Sequence, residues 1–243
     1  MHHLMIDLET LGTAANAPVV AIGAVFFDPA TGKLGATFDG TIDVEDALRY
    51  GIMSGSTFKW WMSQSDAARQ KVVRGRDSSK IVFENFRDFV VNNVGMTDRI
   101  QPWGNGASFD ITILDYAFPR VLNIPPPWQF WNVRDCRTIK EVATGIVEFD
   151  SSMKKGVAHT ALDDAVSQAK WVSACWQGLR AKGGVKTFFY YHPESDSAFT
   201  SMRDDLHGTG DGLVEEIDEQ KFWDIIARQK DEQAPRTAED LLV

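Results

Sequence analysis

Cysteine is nearly missing from the 243 residues, with Cys136 and Cys175 the only two. Neither sits at a metal-type spacing. This excludes a disulfide-stapled secreted scaffold and a cysteine zinc site, and predicts reduced thiols in a cytoplasmic protein. Long apolar runs are missing too. The longest, Val19 to Phe27, is far too short to cross a bilayer. The opening stretch "MHHLMIDLET" carries two acids and no basic region, so neither a signal peptide nor a membrane partner is expected. Positive charge is in deficit: 25 Lys and Arg stand against 34 Asp and Glu, a net charge of −9. Such a balance argues against a nucleic-acid partner, but the deficit is local. From Glu194 onward 14 acids face 5 bases, so the first 193 residues are balanced at 20 of each. A phosphate loop is also absent. "GTGDG" at 208–212 follows no strand and has no lysine, which makes it a linker. His2 and His3 are too few to make a metal site, and no internal repeat is found.

What is present is a globular chain, 44% hydrophobic and 24% charged, long enough for one large domain with an appendage. Strands are predicted over Leu4–Leu8, over the β-branched and aromatic run "VVAIGAVFFD" at 19–28, and over "LGATFDGTID" after the turn "PATGK". These three can form a meander. Ser56 is placed as the cap of a helix running to about Val73, with Phe58, Trp61 and Met62 on one side. Trp60 and Trp61 fall in this apolar pattern and are read as packing the domain. Ile81–Val91 is a second amphipathic segment. "RIQPWGNG" reads as a strand ending in a glycine turn, followed by a helix from about Phe109 to Val121. "IPPPW" interrupts the chain, "FWNV" reads as a short strand and Cys136–Val142 as a short helix. A long helix after His159 ends at Gly183-Gly184. The alternation predicts an α/β domain with a mixed five-stranded sheet flanked by helices over 1–192. An acidic C-terminal extension of helix and loop follows over 193–243, with "LVEEIDEQKFWDIIARQK" as its helix.

Three short motifs carry chemistry. In "MIDLETLG", Asp7 and Glu9 end an apolar strand two residues apart, so both point to one face and repel unless a hard cation lies between them. In "WGNGASFDI", glycines flank Asn105, and Asp110 falls near the first turn of the next helix. In "HTALDDAV", Thr160 is a good N-cap and Asp163 the matching capping-box acid. Asp164 lies about 100° further round the helix, with no capping role. His159 precedes the cap and is free of the helical face.

Together these motifs, Asp-x-Glu, Asn-x-x-x-Phe-Asp and His-x-x-x-x-Asp, resemble the histidine branch of the DEDD superfamily of 3′→5′ exonucleases, with its ribonuclease H-like fold. "STFKWWMSQS", "NVRDCRTI" and "HTALDDA" are similar to the exodeoxyribonuclease VIII-like and phage exonuclease A-like subfamily. The resemblance covers about residues 3–180. It implies two divalent ions, Mg²⁺ or Mn²⁺: Asp7, Glu9 and Asp164 would hold the first, Asp7 would bridge to the second, and Asp110 would support the second. His159 would be the general base that deprotonates the attacking water. Thr10, Leu11, Gly12, Asn105 and Phe109 would position the terminal nucleotide, Leu11 as a wedge and Phe109 beside it. The implied partner is a nucleic acid 3′ end, DNA in preference to RNA, and related enzymes are often homodimers. An exoribonuclease of the same fold and a catalytically silent nucleic-acid-binding module are the alternatives. The basic concentration of Lys59, Arg69, Lys71, Arg74, Arg76 and Lys80 is either a phosphate track or a solvated helix face.

Overall fold

A computed structural model describes residues 1–94, 99–148, 160–181, 188–192, 197–201, 215–217, 221–222, 224–226 and 228. The segment "VVAIGAVFFD" dictates the centre of the fold. It forms strand β2 (Val19–Asp28), in which every residue but the last is buried. A strand this apolar on both faces must be covered on both. Its neighbours are β1 (His3–Thr10) and β3 (Lys33–Thr41), both antiparallel to it. On the far side of β1, strands β4 (Gln101–Gly104) and β5 (Arg134–Asp135) run parallel, giving the order β3-β2-β1-β4-β5. The mixed five-stranded sheet is thus the one the sequence predicts.

Two apolar clusters cover the two faces. Leu4, Ile6 and Leu8 of β1 join the larger one with Phe83, Phe86 and Phe118. The last three come from helices α4 (Ser79–Asn93) and α5 (Ala107–Val121). Met5 alternates to the opposite face and packs with Ala165, Ala169 and Val172 of α7 (Ala161–Ala181) and with Cys136 of α6 (Cys136–Val142). Asp7 and Glu9 continue the Met5 face towards the end of the strand. Short helix α1 (Val44–Ala47) follows β3.

Several expectations are corrected. The single helix from Ser56 to Val73 is two, α2 (Gly55–Met62), which follows Ser54, and α3 (Asp66–Val73), whose start Ser65 caps by accepting from the Ala68 N–H. Only Thr57 and Trp61, four residues apart, face inward from α2; Phe58 and Met62 are exposed. "FWNV" is a 3₁₀ turn over Phe130–Asn132, and pairing begins only at Arg134.

The chain divides into two compact units, Met1–Leu179 and Arg180–Val243, where composition suggested a break at 192. Among its described residues the second unit has strands as well as the expected helix. It contains a three-stranded antiparallel sheet of β6 (Phe188–His192), β7 (Ser197–Ser201) and β8 (Glu215–Ile217), in the order β7-β6-β8. "FFYYH" has the aromatic content that favours strand. The acids that suggested a helix start at 215–216 instead lie in β8, and Lys221 and Phe222 are helical. Ile217, Phe222 and Ile225 form a small buried cluster there. Gly183-Gly184 lies outside the described residues. Among the described residues no helix is long and apolar enough to cross a membrane.

Candidate active site

Three elements deliver the acids. Strand β1 supplies Asp7 and Glu9, and its register against β2 slips between Glu9 and Thr10. Such an irregularity re-aims the side chains beside it. Helix α5 supplies Asp110 in its first turn, where an acid is favoured by the helix dipole. Its start is pinned by Asp135, which accepts from the Ala107 N–H while capping α6 through the Arg137 and Thr138 N–H groups. Helix α7 supplies Asp164. At its start the Thr160 hydroxyl donates to Asp163 Oδ2 at 2.6 Å, a side-chain pair between the two residues the sequence put in a capping box, and the Asp164 N–H donates to the Thr160 carbonyl.

Two glycines permit this convergence. Gly23 pairs with Asp7 across the sheet, and a Cβ on it would overlap the backbone of Ala161 and Leu162. The first turn of α7 therefore rests directly on β2. A Cβ on Gly104 would crowd the Asp110 side chain.

Ligand oxygens of Asp7, Glu9 and Asp164 lie within 4.8 Å of one another. Asp110 is almost fully buried and accepts from the Leu8 N–H at 3.1 Å, between the two β1 acids in sequence. Burial, reinforced by the Asp164 and Asp110 charges, pushes the Glu9 carboxyl up to about 8. Asp7 is raised well above the usual carboxylate range by burial and then by Asp110 and Glu9. Burial raises Asp110 too, against the Leu8 N–H that holds it down. Carboxylates forced together in this way repel one another. Their donor atoms are all carboxylate oxygens, the set that hard divalent cations prefer.

Asp7, Glu9 and Asp164 open into a cavity of about 540 Å³ that Thr10, Gly12, Trp60 and Phe109 also line; Asp110 lies behind them, outside its lining. No Lys or Arg among the described residues lines it. Leu11 does not reach this cavity; it is 6% exposed and belongs to the main core. Nor does Asn105, whose Oδ1 accepts from Lys140 Nζ at 3.1 Å. His159 lies outside the described residues. Sequence reasoning missed two residues. Trp60 was assigned to packing, yet it is 40% exposed and lines the cavity. Adjacent helix positions are about 100° apart, so Trp60 and Trp61 cannot both face the core; that spacing was the available signal. Gln168 was overlooked as well. It stands one turn beyond Asp164, and its Nε2 donates to Asp7 Oδ1 at 2.7 Å.

A family model, the 3′-5′ exoribonuclease Rv2179c-like domain, matches residues 2–176. The chain belongs to this family. The span of this Rv2179c-like domain takes in all four acids. The exodeoxyribonuclease of Enterobacteria phage T4 is 25% identical over 193 residues, 68% of this chain and 84% of the phage protein. Among solved structures, the zinc-bound E. coli ExoI–ssDNA complex matches with a TM-score of 0.52 at 13% identity, over 74% of this chain and 40% of that one. Cell-death related nuclease 4 gives 0.49 at 15% identity, over 74% of this chain and 64% of that one. The chain thus spans less than two thirds of either solved relative. The Rv2179c-like chain is a 3′→5′ exonuclease of ribonuclease H-like fold.

Proposed function

We propose that the chain is a metal-dependent exonuclease that releases nucleoside 5′-monophosphates from DNA 3′ ends, using two divalent ions, Mg²⁺ or Mn²⁺. The observation that carries this reading is the convergence of Asp7, Glu9 and Asp164 in a cavity lined by no basic residue among those described. A phosphodiester is repelled from such a cavity unless cations enter first. Asp7, Glu9 and Asp164 are suited to hold one ion, and Asp7 with Asp110 the other. Bound ions would supply the positive charge that stabilises the attacking and leaving oxygens.

The chain's own groups do the rest. Gly12 and Thr10 line the wall directly beyond the acids, with the Thr10 hydroxyl fixed by donation to the Gly12 carbonyl at 2.7 Å. Phe109 and Trp60 offer aromatic surface for the terminal bases. Leu11 supports this wall from within the core, and Asn105 acts through its bond to Lys140. His159, placed by the motif spacing just before the cap, accepts the proton of the attacking water as a neutral imidazole.

The T4 relative supports DNA as substrate. The family description favours the second reading, an exoribonuclease. Matched single-stranded DNA, duplex DNA and RNA, labelled at either end, separate the two. DNA is expected to shorten from its 3′ end in Mg²⁺ or Mn²⁺ and to stay intact in EDTA. Faster loss of RNA would select the second reading. Binding without cleavage in either metal would make the chain a silent module.

A further inference from the structure

Helix α7 brings a second side chain to the acids. Gln168 follows Asp164 by four residues, so both lie on one face of the helix. The residue is only 9% exposed. Its Nε2 donates to Asp7 Oδ1 at 2.7 Å across 161 residues of sequence. Its Oε1 is buried with no hydrogen-bond partner among the described residues. Buried amide oxygens are normally satisfied, and an orphan calls for an explanation.

We propose that Gln168 is a positioning residue for the cation site: its amide fixes the Asp7 carboxylate for a divalent ion, and its free carbonyl receives a donor that arrives with that ion. This inference rests on the carboxylates being a cation site.

The choice of side chain follows from electrostatics. A lysine or arginine at this position would also hold Asp7, but its charge would compete with the incoming cation for the same oxygens. An amide orients the carboxylate without neutralising it. Asp7 also needs such restraint more than Glu9 or Asp164 does. It is the acid that would help to hold both ions in the proposed function, so its orientation would matter to both. The spare Oε1 accepts from a water or hydroxyl, the donors that a hydrated cation or a nucleic-acid 3′ end brings. Groups of this kind around metal ligands commonly change affinity 10–100-fold when removed.

The test is direct Mn²⁺ titration by calorimetry on the full chain without substrate, comparing wild type with Gln168→Leu and Gln168→Met. Both substitutions keep the volume and remove the amide. Mn²⁺ affinity is expected to fall about 10-fold, while the melting temperature in EDTA stays level or rises because the orphan oxygen is gone. The Mn²⁺ concentration for half-maximal cleavage should shift by the same factor, with KM for the oligonucleotide at saturating Mn²⁺ unmoved. Unchanged Mn²⁺ affinity would overturn the inference. So would weaker binding with an equally lowered melting temperature in EDTA, which marks a structural role. Wild-type protein that binds no Mn²⁺ would overturn the reading of the carboxylates themselves, and this inference with it.

Discussion

Glu9 concentrates the physics of the site. Its folded-state pKa of about 8 stands above the ordinary 4.5. Between those values the folded chain holds a proton that the unfolded chain releases, so stability falls as pH rises. Glu9 contributes fully below about pH 4.5 and loses that contribution by about pH 8. The raised Asp7 and Asp110 carboxyls act in the same direction. His3 acts oppositely. Burial beside Trp103 and Phe27 lowers it to about 4, so its contribution is present above its usual 6.5 and fades on acidification towards 4. In EDTA, the melting temperature of the wild type is therefore expected to drop from pH 6.5 to pH 8, where His3 no longer titrates, and excess Mn²⁺ should restore it. Glu9→Gln should stabilise the metal-free protein at pH 8 by at least about 1 kcal/mol and weaken the Mn²⁺ response. Thermal melts across pH would show it; a flat profile in EDTA would refute the strained-carboxylate account. Asp7→Asn and Asp164→Asn should each reduce turnover by at least about 10³-fold, roughly 4 kcal/mol of barrier, with unchanged circular dichroism. Substantial turnover in either removes that acid from the site. These acids were nominated by the resemblance of three motifs taken together; spacing alone put Asp7 and Glu9 on one strand face and left Asp164 without a capping role. Gln168 was not nominated, since a glutamine inside an amphipathic helix looks like any solvated polar residue until the partner strand is known.

Helices α2 and α7 show why element boundaries matter to the site. The sequence pattern ran one helix from Ser56 to Val73 because the apolar residues continue through it. Ser63 ends α2, and Ser65 begins α3 with its own cap. The break leaves α2 short, bolted to the end of β1 by the Ser54 N–H on the Leu11 carbonyl and by Trp61 Nε1 on the Thr10 carbonyl at 2.9 Å. Trp60 is held at the cavity with its ring edge-on to Trp61, centroids 5.0 Å apart. Base stacking on an aromatic contributes about 1–3 kcal/mol. Trp60→Ala should therefore raise KM for single-stranded substrate about 10-fold, and Trp60→Phe should keep most of the affinity. An equal KM in all three proteins would return Trp60 to a packing role. Helix α7 depends on Gly23. Gly23→Ala forces the α7 backbone away from β2, at about 1–3 kcal/mol of overpacking, and carries Asp164 with it. A lower melting temperature and weaker Mn²⁺ binding are expected. Gly55→Ala, where the added Cβ meets nothing within 4 Å, should change neither. If Gly23→Ala binds Mn²⁺ as the wild type does, the seating of α7 does not set the position of Asp164.

At the scale of the whole molecule, composition and compactness divide the chain at different points. Composition changes near residue 192, whereas compactness changes after Leu179. The difference is physical. "FFYYH" is as apolar as the domain before it, and only its pairing with β7 and β8 shows that it belongs to the second unit. The two boundaries predict different truncations. A chain ending at 192 keeps β6 and deletes both of its partners, leaving an aromatic strand with two unpaired edges. Exposed edges of that kind recruit other chains. A chain ending at Ala181 stops at the end of α7 and keeps the four acids, Gln168 and the family-matched residues 2–176. We expect the 1–181 protein to be soluble, to melt cooperatively and to retain wild-type turnover, and the 1–192 protein to aggregate. Size-exclusion chromatography and turnover on end-labelled DNA at two salt concentrations would decide both points. The salt series also tests the acidic extension. All of the net charge of −9 lies from Glu194 onward, so an extension that shields the site would slow the full chain most at low salt, where the Debye length is about 30 Å at 0.01 M. Equal rates for 1–181 and the full chain at both salts would leave the extension as a separate, solvated unit; a faster 1–181 protein at low salt would make it an inhibitor.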